Sequence, residues 1–399
     1  MKKSARITLI SSLILTILSL FLFIYANQYN SIPILLYHHV NYIDKDSLSV
    51  TPEIFEAQMK YLYDNNYNSL FLDDVLNIIK KKKRFLSKSV VVTFDDGYLD
   101  NWVYAYPILK KYKIKATIFV ITSYIKNRNK YRPNLEDVWK GRDKKQALPE
   151  FPDHNTVNFL AFKYPLDTIK YFLTWEEMEQ MIDSGLIDIQ SHTHTHASYF
   201  INNNIIDFNH ENEWKIASST GGDIRTGIPI YSQASAMIAR RFFDDKGLRN
   251  FIAEYVKNNG GRKFFDKNPE NYKEILKEQV IEYKKKYKLN EYYEDQYKQT
   301  ERIRRELIIS RTLLEKNLGI KSHFIAWPFG KYNNLNINIA KSAGYKGALT
   351  TLKGANKNEK DIWSLKRIKV WPRGNWWFAI RLFAYSNAPL ADICSLFTK

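Results

Sequence analysis

VVVTFDDGYLDN, Val90 to Asn101, decides how the rest of the chain is read. Three β-branched residues open an apolar run. Such a run, buried on both faces, belongs in the interior of a parallel sheet. It ends in two adjacent aspartates, Asp95 and Asp96, followed by Gly97. Carboxylates placed where a strand leaves the core call for a nearby cation, because burying an unpaired charge is costly. A purely local role is the other reading, with Asp96 or Asp100 capping a helix that starts near Trp102.

Outward from this strand, apolar runs alternate with helical spacing. IPILLYHHV, Ile32 to Val40, reads as a first strand ending in His38 and His39. Thr51–Asn65 reads as a helix with Thr51 as N-cap and Pro52 at its first position. Asp73–Lys83 and Trp102–Tyr112 read as helices, and Ala116–Ile121 as a strand. Thr174 and Glu177 form a capping box for a helix to Ser184, ahead of a strand over Leu186–Gln190. Arg302–Leu318 is an amphipathic helix ending at Gly319. Strands are expected at His323–Trp327, Ala348–Leu352 and Ile368–Trp371, with a helix over Leu335–Ala343. This alternation predicts βα units and a parallel sheet. Two segments interrupt it as insertions, an irregular one near 124–171 and another near 200–300. Within and beyond the second, Tyr272–Leu307 mixes Lys, Glu and Tyr in the manner of a solvated helix laced with ion pairs.

The composition, 45% hydrophobic and 26% charged over 399 residues, is that of a globular chain. The single cysteine, Cys394, excludes an internal disulfide framework and any cysteine-based zinc site. The formal charge of +18 suggests an anionic neighbour. The bases lie among acids in most segments, however, and no nucleic-acid module is visible, so nucleic acid is not expected as a partner. At the N-terminus Lys2, Lys3 and Arg6 precede an uncharged run, Ile7 to Ala26. A helix of about 20 apolar residues spans a bilayer, and a cleaved signal is usually shorter and ends in an A-x-A site, which is absent here. The expectation is a cytoplasmic tail (1–6), a transmembrane signal anchor in the inner or cytoplasmic membrane (7–26), a spacer (27–31) and an extracytoplasmic domain (32–399), periplasmic or at the cell surface. A removed signal and a secreted domain is the competing reading.

Reactive groups in parallel α/β folds collect at the carboxyl ends of strands. Three polar clusters occupy such positions: His38-His39, Asp95-Asp96 and SHTHTH, Ser191 to His196. His192 and His196, four residues apart, share a face if the segment turns helically, so both reach one ion. His194 would point elsewhere. Surface histidines without a ligand are the alternative. One aspartate completes a two-histidine, one-carboxylate set with open positions for water and substrate. The other, unligated, is placed to take a proton from water.

TFDDG (Thr93–Gly97), SHTHTH and AWPFGKYN (Ala326–Asn333) resemble the successive motifs of polysaccharide deacetylases of carbohydrate esterase family 4, the NodB homology domain. The likeness runs, with insertions, from about Ile32 to Trp371. It implies a distorted parallel (β/α) barrel. It also implies Asp95 as catalytic base and Asp96, His192 and His196 as ligands of a divalent metal. That metal is zinc first, with cobalt, nickel or iron as alternatives. A backbone N–H of Gly97 or Tyr98 is implied at the oxyanion. Two departures stand out. Ala326 stands where the third motif commonly begins with Arg. The late Leu-x-His that supplies the acid is missing, since no histidine follows His323.

The opening Leu36-Tyr37-His38-His39-Val40, the WPFGKYN form and RIRRELIISRTLLEKNLG (Arg302–Gly319) resemble the poly-β-1,6-N-acetylglucosamine N-deacetylase subgroup. There a histidine of the N-terminal strand takes the acid's place. That implies His38 as acid, with His39 as second candidate and a structural histidine pair as the other reading. Tyr37 and Trp327 would wall a sugar pocket, with His39, Pro328 and Phe329 also beside the substrate.

The expected function is metal-dependent removal of acetyl groups from N-acetylglucosamine units of a cell-surface polysaccharide. Its partners would be that polymer, the membrane through the N-terminal helix, and polysaccharide synthesis machinery. Peptidoglycan is the alternative substrate. A non-catalytic polysaccharide-binding or assembly protein is the alternative of another class.

Overall fold

Ser89–Phe94, the run ahead of the two aspartates, is a strand buried along its whole length. The computed structural model describes residues 2–26, 30–43, 46–81, 88–127, 131–163, 170–210, 214–357 and 359–397. Residues 27–29 of the expected spacer and the last two residues of the helix read over Asp73–Lys83 lie outside them.

Eight strands make the main sheet. Numbered in chain order they are β1 (Ile34–Tyr37), β2 (Asn68–Ser69), β3 (Ser89–Phe94), β4 (Ala116–Val120), β5 (Ile187–Ser191), β6 (Phe324–Ala326), β7 (Gly347–Leu349) and β8 (Ile368–Lys369). The spatial order is β7-β6-β5-β4-β3-β1-β8, with β2 beside the start of β3. Every pairing is parallel. The register sets Tyr37 against Phe94 and Val120 against Ser191. The ends of β1, β3, β4 and β5 therefore lie side by side, and the three polar clusters meet there.

The sheet is a parallel half-barrel. Its two ends are joined by backbone bonds from β7 and the residues after it to the residues just before β8: Thr350 N to Leu365 O (2.8 Å), Leu365 N to Ala348 O (2.9 Å) and Arg367 N to Leu352 O (2.8 Å).

The helices form where their caps predict. Thr51 Oγ1 accepts from Ile54 N at the start of Pro52–Asp64. Thr174 and Glu177 cap each other reciprocally at the start of Trp175–Asp183. Both helices press apolar faces on the sheet, Phe55, Met59, Met178 and Met181 joining Val90, Val92 and Phe94 in one core. Each fully buried aliphatic or aromatic side chain contributes roughly 1.5–3 kcal/mol.

Several expectations change. Among the described residues no helix is long and apolar enough to cross a membrane. Lys2–Ala26 is helical, but among its described residues it does not meet that measure. The transmembrane anchor over 7–26, the membrane as partner and the single-pass location are corrected on that ground. The end of this helix instead meets the domain, where Asn387 Nδ2 donates to Ile24 O (2.6 Å).

Trp102–Tyr112 is not one α-helix. A single π turn, Asn101–Ala105, precedes Tyr106–Tyr112, and Asn101 Nδ2 donates to His38 O (2.9 Å). Tyr272–Leu307 is likewise divided, into Tyr272–Lys286 and Gln296–Leu318. Between them Tyr292–Tyr293 pairs with Phe242–Phe243, and Asn290 N is held by Asp245 Oδ2 (2.7 Å). The insertion also contains a hairpin of Ser198–Phe208 with Pro229–Ser235. It has its own small core, including Leu248, Ile252, Leu276 and Val280.

The segment near 124–171 is irregular only in part, since Leu135–Trp139 and His154–Lys163 are helical. Arg132 pins it down. Its guanidinium pairs with Glu177 and donates to Phe172 O (2.9 Å), and Trp102 Nε1 donates to Arg132 O (2.9 Å). Arg132 and Glu177 are 4% and 5% exposed, so removing one partner strands the other charge. Arg132→Leu should therefore destabilise the protein by about 3–5 kcal/mol, seen as a lower denaturant midpoint. Adding Glu177→Gln should recover part of the loss. A midpoint that stays put in the single variant would contradict the assignment.

Candidate functional site

Past Phe94 the backbone makes one more sheet-like bond, Asp95 N to Tyr37 O (3.1 Å). It then turns through left-handed conformations at Asp96 (φ +73°) and Gly97 (φ +78°). Gly97 is required there, because a Cβ would sit 2.7 Å from Val120 Cγ1. Both aspartates remain buried, at 2% and 4% exposure, and each meets positive charge of a different kind.

Asp95 is held by Arg367, with Nη1 to Oδ1 at 2.6 Å and Nη2 to Oδ2 at 2.7 Å. Arg367 lies just before β8, is itself buried, and is fixed by Nε donating to Thr350 O (2.8 Å). Burial pushes the Asp95 carboxyl up, and the guanidinium, helped by His192 and His38, more than offsets it, holding the group below its ordinary value. Ala326 stands where the sequence likeness placed an arginine. An arginine does reach the site, from another part of the chain.

Asp96 faces the histidines. His192 Nε2 lies 3.3 Å and His196 Nε2 4.0 Å from Asp96 Oδ1, yet that buried oxygen makes no hydrogen bond. Burial would raise Asp96, while the two imidazoles hold it well below the usual carboxylate range. His192 Nδ1 bonds to Ala326 O (2.8 Å). With Nδ1 committed as donor there, Nε2 is the ring nitrogen left to face Asp96 and to ligate a cation. One ligand atom from each of Asp96, His192 and His196 falls within 4.8 Å of the others. An orphaned carboxylate oxygen beside two imidazole nitrogens is a donor set that fits a divalent cation.

The histidines do not meet by helical spacing, and that expectation is corrected. The loop is irregular, with Thr193 (φ +68°) and His196 (φ +52°) left-handed, which folds the two rings to 4.7 Å between centroids. Glu306, on the helix Gln296–Leu318, grips it. Its carboxylate accepts from His194 N (3.1 Å), Thr195 N (2.8 Å) and Thr195 Oγ1 (2.8 Å). His194 turns away, its Nδ1 3.0 Å from Thr122 Oγ1.

His38 follows β1, half-buried. Burial lowers its pKa, against the opposing pull of Asp96 and Asp95. His39 is buried, its Nδ1 2.6 Å from Asp100 Oδ2 and its ring stacked on Tyr98 at 3.8 Å. Burial works against its charge, but Asp100 prevails and raises it. Asp100 thus binds His39 and Asn41 and does not cap the following helix. Tyr98 OH bonds to His154 Nδ1 (2.9 Å), and burial pushes that histidine down to about 4.

The expected aromatic walls are corrected. Tyr37 sits in the core with its OH on Gln58 (2.7 Å). Trp327 is buried among Leu307 and Ile325, and Pro328 is buried beside it. Phe329 remains, 39% exposed, its ring 4.5 Å from that of His196.

Three residues that matter here, Arg367, Glu306 and His154, escaped the sequence reading, and a fourth, Asp100, entered it only as a helix cap. Only Asp100 had a local signal, its place four residues beyond Asp96.

A profile of the polysaccharide deacetylase family matches residues 82–240 and 252–348, more than half of the chain. The chain belongs to that family. It is similar to YxkH of Bacillus subtilis (strain 168), a protein named for the same family, at 44% identity over 98 residues, 25% of this chain and 34% of that one. It is also similar to a poly-beta-1,6-N-acetyl-D-glucosamine N-deacetylase of Staphylococcus aureus (strain MSSA476), at 41% identity over 111 residues, 27% of this chain and 37% of that one. The aligned stretches span about a third of these curated relatives' length. Among solved structures, a de-N-acetylase from Aggregatibacter actinomycetemcomitans superposes with a TM-score of 0.53 at 19% identity, covering 88% of this chain and 99% of that one. At that identity the likeness concerns the fold.

A cation here should depend on the ligands and on their clamp, but not on Asp95. By competition with a chromophoric chelator, His196→Ala should weaken divalent-metal binding at least about tenfold, Glu306→Ala about tenfold, and Asp95→Asn less than about threefold. Equal losses in all three would mean that Asp95 is a ligand.

Proposed function

We propose that the protein is a metal-dependent N-deacetylase that hydrolyses acetamido groups of N-acetylglucosamine units in a cell-surface polysaccharide of the poly-β-1,6 type. The observation that carries this reading is the contrast between the two aspartates. One is paired with a guanidinium; its neighbour turns an unpartnered oxygen toward two imidazoles. Family membership and the Staphylococcus aureus relative's name support the reaction and the substrate class.

Asp96, His192 and His196 would hold the cation, zinc by preference, with cobalt, nickel or iron also suited to the donor set. When bound, such an ion supplies Lewis acidity toward the acetamide carbonyl and toward water. Asp95 accepts the proton of the attacking water. Arg367 keeps that carboxylate ionised and fixes where its oxygens point, and a weak base suffices where water has been acidified. By the family likeness, the Gly97 or Tyr98 amide would steady the oxyanion. His38 protonates the departing amine. The His39–Asp100 pair positions the end of β1 on which His38 sits. Phe329 offers an exposed ring to a sugar face.

Purified protein should release acetate from β-1,6-linked N-acetylglucosamine oligomers and lose the activity to a chelator. Asp95→Asn and His38→Asn should each lower kcat by about 10²–10⁴-fold in folded protein; His38→Asn should keep the melting temperature, whereas Asp95→Asn should also lower it, because it leaves the buried Arg367 without its counter-charge. A larger kcat loss in a folded His39→Asn would move the acid to that residue. Acetate from muropeptide glycans only would shift the substrate to peptidoglycan. Saturable glycan binding without acetate would make the protein a binding or assembly factor.

A further inference from the structure

Beside the catalytic centre lies a groove of about 360 Å³, within the range of small-ligand clefts, roughly 300–1,000 Å³. Its lining comes from two distant parts of the chain. Ser198, Lys215 and Gln233 belong to the insertion, and Phe329 and Lys331 follow β6. The groove adjoins the centre because Phe329 lines it while its ring packs 4.5 Å from that of His196. Ser198 is two residues beyond His196. Phe329 adopts a left-handed backbone (φ +58°), a conformation that persists where the surroundings impose it.

The groove's chemistry is selective. Phe329 and Ile238 supply apolar surface for a sugar face. Ser198 Oγ donates to Gln233 Oε1 (3.1 Å), which orients the Gln233 amide and leaves its NH₂ for an acceptor. Lys215 and Lys331 are both exposed, and the lining contains no carboxylate. Among the described residues neither lysine is ion-paired. The charged side chains that line the groove are therefore two lysines. A polymer of N-acetylglucosamine presents only two kinds of unit to it, the neutral acetamido sugar and, once cut, an ammonium sugar.

Resting on the deacetylase reading above, we propose that this groove is a second sugar subsite that admits a still-acetylated unit beside the one being cut and disfavours a unit already converted to the amine. Gln233 meets the acetyl carbonyl or a ring hydroxyl, and Lys215 and Lys331 repel the ammonium. The enzyme then leaves spaced amines along the chain, because each product unit discourages cleavage at its neighbour.

The test compares kcat/KM on two defined β-1,6 oligomers, one fully acetylated and one carrying a free amine next to the scissile unit, with the amine placed on either side in turn. Wild type should disfavour one aminated isomer by about fivefold at low salt, and the ratio should fall toward one as salt rises. Lys215→Gln with Lys331→Gln should shrink the ratio, and Lys215→Glu with Lys331→Glu should invert it. A wild-type ratio near one on both isomers, or one indifferent to the charge variants, overturns the subsite. Wild type that releases no acetate from any oligomer brings down the deacetylase reading itself, and this proposal with it.

Discussion

Two neighbouring carboxylates at the buried end of one strand cannot both stay ionised unless each has its own positive charge. Like charges about 4 Å apart in an effective dielectric near 20 repel by about 4 kcal/mol, and burial adds to that for each group. Arg367 answers for Asp95 with two short hydrogen bonds. Nothing equivalent answers for Asp96, whose Oδ1 stays without a hydrogen bond between two imidazoles. The asymmetry supports the roles proposed for the two. A carboxylate locked in a bidentate pair has its lone pairs largely committed and is a poor metal ligand, but its oxygens are held still, as a proton acceptor requires. The unpaired carboxylate is the one with coordination to offer. The same arginine also hydrogen-bonds to Thr350 O and Leu352 O, where the two ends of the half-barrel meet. Charge compensation at the site and closure of the sheet are thus one interaction.

The backbone bears the cost of bringing these groups together. Among the described residues six non-glycine residues have positive φ, and four of them are Asp96, Thr193, His196 and Phe329. Residues held this way cost on the order of 1–3 kcal/mol each and persist where the surroundings over-determine them. The surroundings are visible in each case. Asp96 is fixed by the close approach of Gly97 to Val120, and the histidine loop by Glu306. Phe329 is followed by Gly330, at which a Cβ would lie 2.1 Å from Thr351 Oγ1. A loop free to relax would open the 4.7 Å spacing of the two imidazoles and lose the cluster.

What the sequence disclosed and what it withheld divide along a physical line. Strand ends, caps and short motifs are local, and they were legible: Thr51 and Thr174 cap where expected, and Asp96, His192 and His196 converge. Partners that arrive from far along the chain were not. Arg367 lies 272 residues from Asp95 in a segment, LKRIKV, that carries no local sign of a buried charge. Glu306 looked like one acid among many on a polar helix. Tyr37 and Trp327 were misjudged because aromatic residues near a site suit a sugar and a core equally well, and only burial separates the two. The two histidines were expected to meet by helical periodicity. They meet through left-handed turns whose cause, the Glu306 clamp, is tertiary.

The insertion's place in the chain follows from the same clamp. Its first hairpin leaves at Ser198, just past His196, and the helix that brings the chain back, Gln296–Leu318, carries Glu306 to the loop it left. Arg302, one turn earlier on that helix, donates to Ala236 O (2.6 Å) and Ala239 O (2.9 Å) and pairs with Glu294. It thereby ties the helix to the end of the hairpin. Ser310, one turn later, meets Ser191 of β5 (2.8 Å). One helix therefore fastens the half-barrel, the histidine loop and the insertion in succession along a single face. About a hundred residues could be placed between His196 and Glu306 without loosening either, because both ends of the excursion are fixed to the same rigid rod.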